Sequence, residues 1–117
     1  MKKRFVIIFL GAAILFIAFK PNSPPNAETY SPQHDQVKEL FQSSKESTAK
    51  DAIWTSSSIF KVGVVDDGTR RDGYAEYVCQ VLYDYGFKGE EVWVQIIDIV
   101  KLTRDGDWVK IGETRCQ

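Results

Sequence analysis

The stretch VVDDGTRRDGYAEYVC, residues 64–79, decides the fold, because a β-branched strand pattern ends there, a charged turn follows and a helical pattern begins. The turn contains two ways of capping that helix. Thr69 and Asp72 have the spacing of a capping box, whereas Asp72 alone would cap a helix that begins at Gly73. The stretch therefore predicts a strand-to-helix corner.

Two arginines of this corner, Arg70 and Arg71, are unfavourably placed if the capping box forms. They would lie in the first helical turn, where the helix macrodipole disfavours positive charge. We therefore expect acidic partners for them, either Asp66, Asp67 and Asp98 within the domain or an anionic group outside it. Arginines beside the free N–H groups of a helix start would suit a carboxylate or a phosphate, so the loop is a candidate binding site.

The helix after the corner has one apolar arc when its residues are placed 100° apart. Its members are Tyr74, Ala75, Val78, Cys79, Val81, Leu82 and Tyr85. Gly86 follows as a natural terminating residue. Tyr77 and Tyr83 fall outside the arc. Because tyrosine is enriched in protein interfaces, both are candidate binding residues.

Three strands are expected. Alternating residues predict the first from about 58 to 65, and Gly63 within it indicates a bulge or the close approach of a neighbouring element. The segment 52–57 before it fits no single element type. A long apolar run predicts the second strand over 91–102, and the third, ending at Cys116, is its hairpin partner.

The loop of this C-terminal hairpin sets the register and hence the two faces. A two-residue loop would pair Asp98 with Glu113 and Lys101 with Lys110, so we expect a three-residue loop with Gly106 in the left-handed conformation. One face then carries Val92, Val94, Ile96, Val100, Leu102, Trp108 and Cys116. The other face carries Trp93, Ile97, Ile99, Val109 and Ile111, and the first helix, the first strand or another protein must cover it.

Asp98 interrupts the apolar pattern of the long strand, and an ionised carboxylate in such a place needs a partner. A bidentate contact from an arginine of the 70–71 pair, or from Arg115, would supply one and lock the second helix to the sheet. The alternatives are that Asp98 faces a ligand, or that it joins Asp66 and Asp67 in a cluster suited to a metal or to acid–base chemistry.

A first helix is expected to begin near Ser31 or Pro32, a capping residue followed by a proline in the first turn. Its apolar stripe, Val37, Leu40 and Phe41, is narrow. The predicted architecture is α-β-α-β-β, a small α+β domain with a three-stranded sheet and a C-terminal hairpin. The sequence leaves the strand order open.

The first 20 residues are predicted to be a signal peptide or an N-terminal membrane anchor. A cationic start, Met1–Arg4, precedes an uncharged apolar run over residues 5–19. As a helix this run would reach about 22 Å, short of the ~30 Å hydrocarbon core, which favours a signal peptide. The missing cleavage-site spacing favours an anchor. Either way, a proline-rich linker, 21–32, would separate the segment from an extracytoplasmic domain, 33–117.

Composition excludes several function classes. Beyond the first 20 residues, 11 basic residues accompany 16 acidic ones, a charge of −5 that argues against nucleic acid or anionic lipid as a partner. Cys79 and Cys116 are expected to form one disulfide in an oxidising compartment. Without a phosphate-loop, EF-hand or paired zinc-ligand spacing, and with His34 as the only histidine, we predict neither a metal site nor a cofactor.

These features together predict an exported binding module. It would be periplasmic or extracellular, secreted or anchored in the inner membrane through residues 5–19, and would contact another envelope or secreted protein. We expect a binding protein rather than an enzyme; the alternative is a secreted enzyme inhibitor or small enzyme that uses loop 66–73 and Asp98. The candidate binding residues are Asp66, Asp67, Arg70, Arg71, Asp72, Tyr77, Tyr83 and Asp98.

Overall fold

The computed structural model describes residues 30–117, which fold into a small α+β domain, as predicted. The helices are α1 (Pro32–Phe41), α2 (Asp72–Leu82) and α3 (Ile99–Asp105), and the strands are β1 (Ala49–Ser56), β2 (Ile59–Val64), β3 (Val92–Asp98) and β4 (Lys110–Cys116). The predicted signal or anchor and most of the predicted linker lie outside the described residues. Within residues 30–117, none of the helices has the length and apolar character needed to cross a membrane.

The sheet has four strands in the order β1-β2-β3-β4, which corrects the predicted three-stranded sheet. The central pair, β2 and β3, is parallel, and the two outer pairs are antiparallel. The additional strand is β1, whose buried residues are Ala49, Ala52 and Trp54. Register shifts between Ala49 and Asp51 and again after Trp54 interrupt its alternation, so the period of two that signals a strand is absent from the sequence.

Helices α1 and α2 cover one surface of the sheet, here called the inner face. The buried residues of that face are Phe60, Val62, Val64, Val92, Val94 and Ile96. Phe41 of α1 contacts the edge of the Phe60 ring, and Val78 and Leu82 of α2 are fully buried. The opposite surface, here called the outer face, carries the intervening residues of each strand, and α3 packs against its β2 and β3 part.

Helix α1 begins as the sequence predicts. The Ser31 side chain caps it by accepting a hydrogen bond of 3.1 Å from the His34 backbone N–H, and Pro32 occupies the first turn. His34, near the start of this helix, is buried, with 8% of its surface exposed. Its ring packs against Trp54 and Phe87, and its Nε2 lies 3.0 Å from the carbonyl oxygen of Ser57.

The predicted long strand 91–102 is too long, since β3 ends at Asp98 and α3 follows at once. The Asp98 carboxylate accepts hydrogen bonds from the backbone N–H groups of Val100 and Lys101, which caps α3. Gly106 ends the helix in the left-handed conformation predicted for it, with φ of 76°. A seven-residue helix has less than two full turns, which is too short to show a helical period in the sequence. Its apolar residues therefore fit the pattern of a longer strand.

The register of β3 and β4 differs from the prediction by two residues. Because the shift is an even number, the paired residues lie on the faces of the sheet predicted for them. Val92 lies opposite Cys116 and Ile96 opposite Gly112, after which a bulge changes the register. Because of α3 and the bulge, Val100, Leu102 and Trp108 do not join the inner face, and Ile111 packs on the core rather than on the outer face.

Helix α2 lies close to β4 and is joined to it covalently. The predicted Cys79–Cys116 disulfide is present, with a Cα–Cα distance of 5.5 Å, and both cysteines are buried. At the other end of the helix, the Arg71 backbone N–H donates to the carbonyl oxygen of Ile111 at 2.9 Å. A Cβ atom on Gly112 would lie 2.3 Å from the Arg71 carbonyl carbon, so this approach requires glycine.

Candidate functional site

Both arginines of loop 66–73, here called the corner loop, have acidic partners within the same loop. The predicted capping box does not form, since α2 starts at Asp72 without a side-chain cap. Arg70 instead pairs with Asp72 at 2.8 Å. Arg71, whose side chain is 19% exposed, lies 3.5 Å from an oxygen of Asp67 and donates to the carbonyl oxygen of Val65 at 3.0 Å.

The carboxylates of the loop are likewise engaged locally. Asp66 accepts from the Gly68 backbone N–H at 2.9 Å, and Asp67 accepts from both the hydroxyl and the backbone N–H of Thr69. The Thr69 hydroxyl in particular holds the pKa of Asp67 below its usual range. The hydrogen bond from the Glu113 backbone N–H, and then Arg70, lower the pKa of Asp72. The carboxylates of the loop are therefore bound by groups of the loop itself and by the β4 backbone.

Asp98 does not meet the arginine predicted for it. Its side chain is 4% exposed, it caps α3, and no ion pair to it exists within residues 30–117. Asp98 also does not form a metal cluster with Asp66 and Asp67, because the described part of the chain contains no group of three acidic, histidine or cysteine side chains placed to hold an ion. The carboxylate has a structural role at the β3–α3 junction.

The two tyrosines predicted for an interface contact different parts of the domain. Tyr77 is half-exposed, and its hydroxyl donates to Glu46 at 2.7 Å, which raises the pKa of the tyrosine. Tyr83 accepts a hydrogen bond from the Gln117 backbone N–H, and Lys88 lies over its ring at 5.4 Å. The structure thus does not gather Tyr77, Tyr83 and the corner loop into one pocket.

A site that the sequence did not predict lies on the outer face of the sheet. It is a groove of about 240 Å³, here called the outer groove, between α3 and the edge strand β1. Its lining residues are Lys38, Gln42, Asp51, Ala52, Ile53, Lys61, Gly63, Ile97, Ile99, Leu102 and Trp108. Two of them are large and exposed, Trp108 at 51% and Ile53 at 46%.

Helix α3 forms the floor of the outer groove because Gly63 lets it approach the sheet. A Cβ atom at Gly63 would lie 2.7 Å from Cδ1 of Ile99, which confirms that this glycine marks the close approach of a neighbouring element. The contact leaves Ile97 almost fully buried. Helix α3 therefore covers part of the apolar outer face predicted from the sequence, and the Ile53 and Trp108 side of it stays open.

Cations lie over the tryptophan rings of the outer face. The Lys61 ammonium is 4.8 Å from the centroid of the Trp108 ring. Lys110 and Arg115 both lie over Trp93, at 4.9 and 4.4 Å. Such contacts are worth roughly 0.5–1 kcal/mol at exposed sites, and they hold long side chains in place. The outer face therefore combines aromatic surface with ordered positive charge.

Glu113 compensates part of that positive charge. It accepts hydrogen bonds from the Lys110 ammonium at 2.9 Å and from the Trp93 indole N–H at 2.8 Å, and these lower its pKa. Arg115 has a more distant partner, Glu91, at 3.9 Å. Lys61 makes no ion pair with any residue that the structure describes.

Comparison of the chain with known protein families, curated proteins and solved structures finds no match. One sequence signal did point to the groove, namely the second apolar face that had to be covered. That signal is incomplete, because a strand that continues through residues 99–102 places Leu102 and Trp108 on the inner face.

Proposed function

We propose that this chain is an exported binding module that contacts another protein of the cell envelope through the outer groove. The observation that carries the proposal is the pair of large exposed side chains, Trp108 and Ile53, in a groove that is also lined by Ile97, Ile99 and Leu102. Tryptophan is enriched among the residues that dominate binding energy at protein interfaces. Exposed apolar surface rimmed by polar groups is typical of such sites.

The extracytoplasmic location is part of the same proposal. A buried disulfide, Cys79–Cys116, is compatible with an oxidising compartment such as the periplasm or the exterior. The cationic start and apolar run of the first 20 residues favour export by signal peptide or anchor. An anchored form would present the domain to proteins near the membrane, and a secreted form would carry the same groove to soluble partners.

The corner loop and Asp98 give less support to the alternative, a secreted inhibitor or small enzyme. The loop carboxylates and arginines bind one another or nearby backbone groups, and Asp98 is buried as a helix cap. A ligand at either place would have to displace hydrogen bonds that the folded domain already makes. A partner in the outer groove would not have to displace such hydrogen bonds, since the Trp108 and Ile53 side chains are exposed to solvent.

The proposal is tested by site-specific photocrosslinking of the full chain in its native envelope. A photoreactive residue in place of Ile53 is expected to give one dominant protein adduct, and Trp108→Ser in the same chain should reduce the yield at least about fivefold, as expected for an interface hot spot. The matched control is a photoreactive residue in place of Glu76, exposed on α2. Equal adducts from both positions, or none from position 53, would contradict the proposal.

A further inference from the structure

We propose that the occupant of the outer groove is an acidic segment of the partner protein. This segment places an apolar side chain beside Trp108 and Ile53 and a carboxylate on Lys61. The inference rests on the proposed function, because it names the chemistry of the partner at the same groove. It follows from the size of the groove, from its unpaired cations and from the blocked edge of β1.

The size of the groove suits side chains of a protein. Pockets for drug-sized molecules and cofactors enclose about 300–1,000 Å³. The outer groove encloses about 240 Å³ and is lined on its floor by Ile97, Ile99 and Leu102. A leucine or an aromatic side chain presented by a partner would bury apolar surface there, whereas a bulkier organic ligand would stay largely exposed.

The charge of the groove is opposite to that of the domain around it. Residues 30–117 contain 11 basic and 15 acidic residues, a charge of −4. The charged residues of the groove are Lys38, Lys61 and Asp51. Asp51 already accepts hydrogen bonds from the Gln42 side chain at 2.9 Å and from the Ala52 N–H at 2.8 Å.

The two lysines of the groove are its uncompensated groups. Neither Lys38 nor Lys61 forms an ion pair with any residue from 30 to 117. The Lys61 ammonium is held over the Trp108 ring, so a carboxylate that binds it needs little further ordering of the lysine. Charge complementarity across an interface favours encounter and selects the partner, which here carries acidic residues.

The cations continue along the outer face beyond the groove. Lys110 and Arg115 lie over Trp93, and Arg115 is only weakly engaged, 3.9 Å from an exposed Glu91. Exposed ion pairs of this kind contribute little to stability, so a carboxylate of the partner can replace Glu91 at small cost. An acidic segment longer than one residue would thus meet Lys61 in the groove and Arg115 beyond it.

The edge of β1 argues for recognition by side chains. A partner that added a strand there would need the free backbone groups of β1. At Ala52 these groups are already used, since the N–H donates to Asp51 and the carbonyl oxygen accepts from Gln42. The partner segment therefore crosses the groove without extending the sheet.

The test measures binding of defined peptides to the full chain in detergent micelles. The probe is a fluorescein-labelled Asp-Glu-Leu-Phe-Asp-Glu peptide, compared with Asn-Gln-Leu-Phe-Asn-Gln and Lys-Lys-Leu-Phe-Lys-Lys. The acidic peptide is expected to bind about tenfold more tightly than the neutral one, with an advantage that decreases as salt rises. Lys61→Met keeps the aliphatic stem over Trp108 and should weaken the acidic peptide alone, by about threefold to fivefold.

The matched control is Lys88→Met, which removes a lysine that lies over Tyr83 instead of the groove, and it should leave all three affinities unchanged. Trp108→Ser should weaken the acidic and neutral peptides alike. Equal binding of the acidic and neutral peptides, or tighter binding of the basic one, overturns the inference. Phosphatidylglycerol vesicles that bind in a Lys61-dependent way while the acidic peptide does not would assign the groove to lipid and also overturn it.

The crosslinking experiment separates this inference from the proposed function. If the adduct from position 53 maps to a neutral or basic segment of a partner, the acidic occupant is wrong and the binding module stands. If position 53 gives no protein adduct, the proposed function is itself wrong. An adduct that maps to an acidic segment with an apolar residue supports both.

Discussion

Two glycines set the distance between layers at the scale of single residues. Gly63 allows Ile99 to approach the outer face, and Gly112 allows the backbone of Arg71 to cross β4. The two differ in how visible they are in the sequence. Gly63 stands inside an alternating strand and signals a close approach, while Gly112 lies beside a bulge that shifts the register of β3 and β4. The sequence therefore predicts the first contact and not the second.

Replacing Gly112 by alanine tests the close approach of α2 to β4. The new Cβ would lie 2.3–2.8 Å from backbone atoms of Arg71, so the helix start must move, and we expect a loss of about 1–3 kcal/mol of unfolding free energy. Gly73→Ala is the matched control, because nothing lies within 4 Å of its Cβ and alanine favours the helix by up to about 1 kcal/mol. Urea unfolding of the oxidised protein measures both. Equal stabilities of the two variants would contradict the assigned contact.

The charged residues show why the candidate site was only partly predictable. The need of Arg70 and Arg71 for acidic partners followed from helix electrostatics, and the structure supplies Asp72 and Asp67. Which carboxylates these were depended on loop geometry that no periodicity encodes. Asp98 required a partner for the same kind of reason, and backbone N–H groups of α3 replaced the expected arginine.

At the scale of elements, the junction of α2 and β4 closes one edge of the sheet. Asp72 accepts from the Glu113 backbone N–H, and the Ile111 carbonyl oxygen accepts from Arg71. Backbone groups of β4 that would otherwise be free to pair with another chain are thereby used. Gln42 and Asp51 do the same for β1 at Ala52. Both edge strands are protected from strand addition at their middle.

The Asp72 contact predicts a pH dependence of stability. Its pKa is lowered in the folded domain, chiefly by the Glu113 N–H and then by Arg70. The stabilisation is therefore complete above the usual pKa of about 3.9 and is lost as pH falls through the lower folded value. We expect the stability difference between the wild-type chain and Asp72→Asn to be largest near pH 6 and to shrink below pH 4. Chemical unfolding across this range measures it.

The control for this prediction compares Asp72→Asn with Asp72→Ala. Asparagine keeps an acceptor for the Glu113 N–H and alanine does not, so their stability difference should not change with pH. A wild-type advantage over Asp72→Asn that is constant from pH 6 to pH 2 would show that the carboxylate charge contributes nothing at this junction.

Elements with regular periodicity were the ones that the sequence predicted. Helices α1 and α2 and strand β2 have the expected spacing and start or stop signals. Strand β1 was missed because its bulges break the alternation, and α3 because a short apolar helix directly after a strand continues the strand pattern. The outer groove lies between these two elements. The sequence therefore predicted an apolar face at this place, but it did not predict that the face forms a groove.

At the scale of the whole molecule, residues 30–117 form a sheet whose inner face is covered by α1 and α2 and whose outer face is covered in part by α3. The disulfide fixes α2 to β4 on the inner face and thus stabilises the covered side, while the open side carries the groove and its cations. A closed loop of 37 residues contributes roughly 4 kcal/mol in the chain-entropy model, a large share of the 5–15 kcal/mol typical of small domains. Folding of this domain is thereby coupled to the redox state of its compartment.

That coupling allows export to be tested through the cysteines of the full chain. The predicted signal or anchor lies outside the described residues, and a charge in its apolar run should block passage across the membrane. We expect no free thiols in the wild-type chain, denatured without reductant, and two in Leu10→Asp. Asn22→Asp adds the same charge outside the run and should behave as wild type.

Two free thiols in the wild-type chain isolated from cells, or none in Leu10→Asp, would contradict export as the origin of the disulfide. The N-terminal residue of the exported chain then distinguishes an anchor, which keeps Met1, from a cleaved signal peptide.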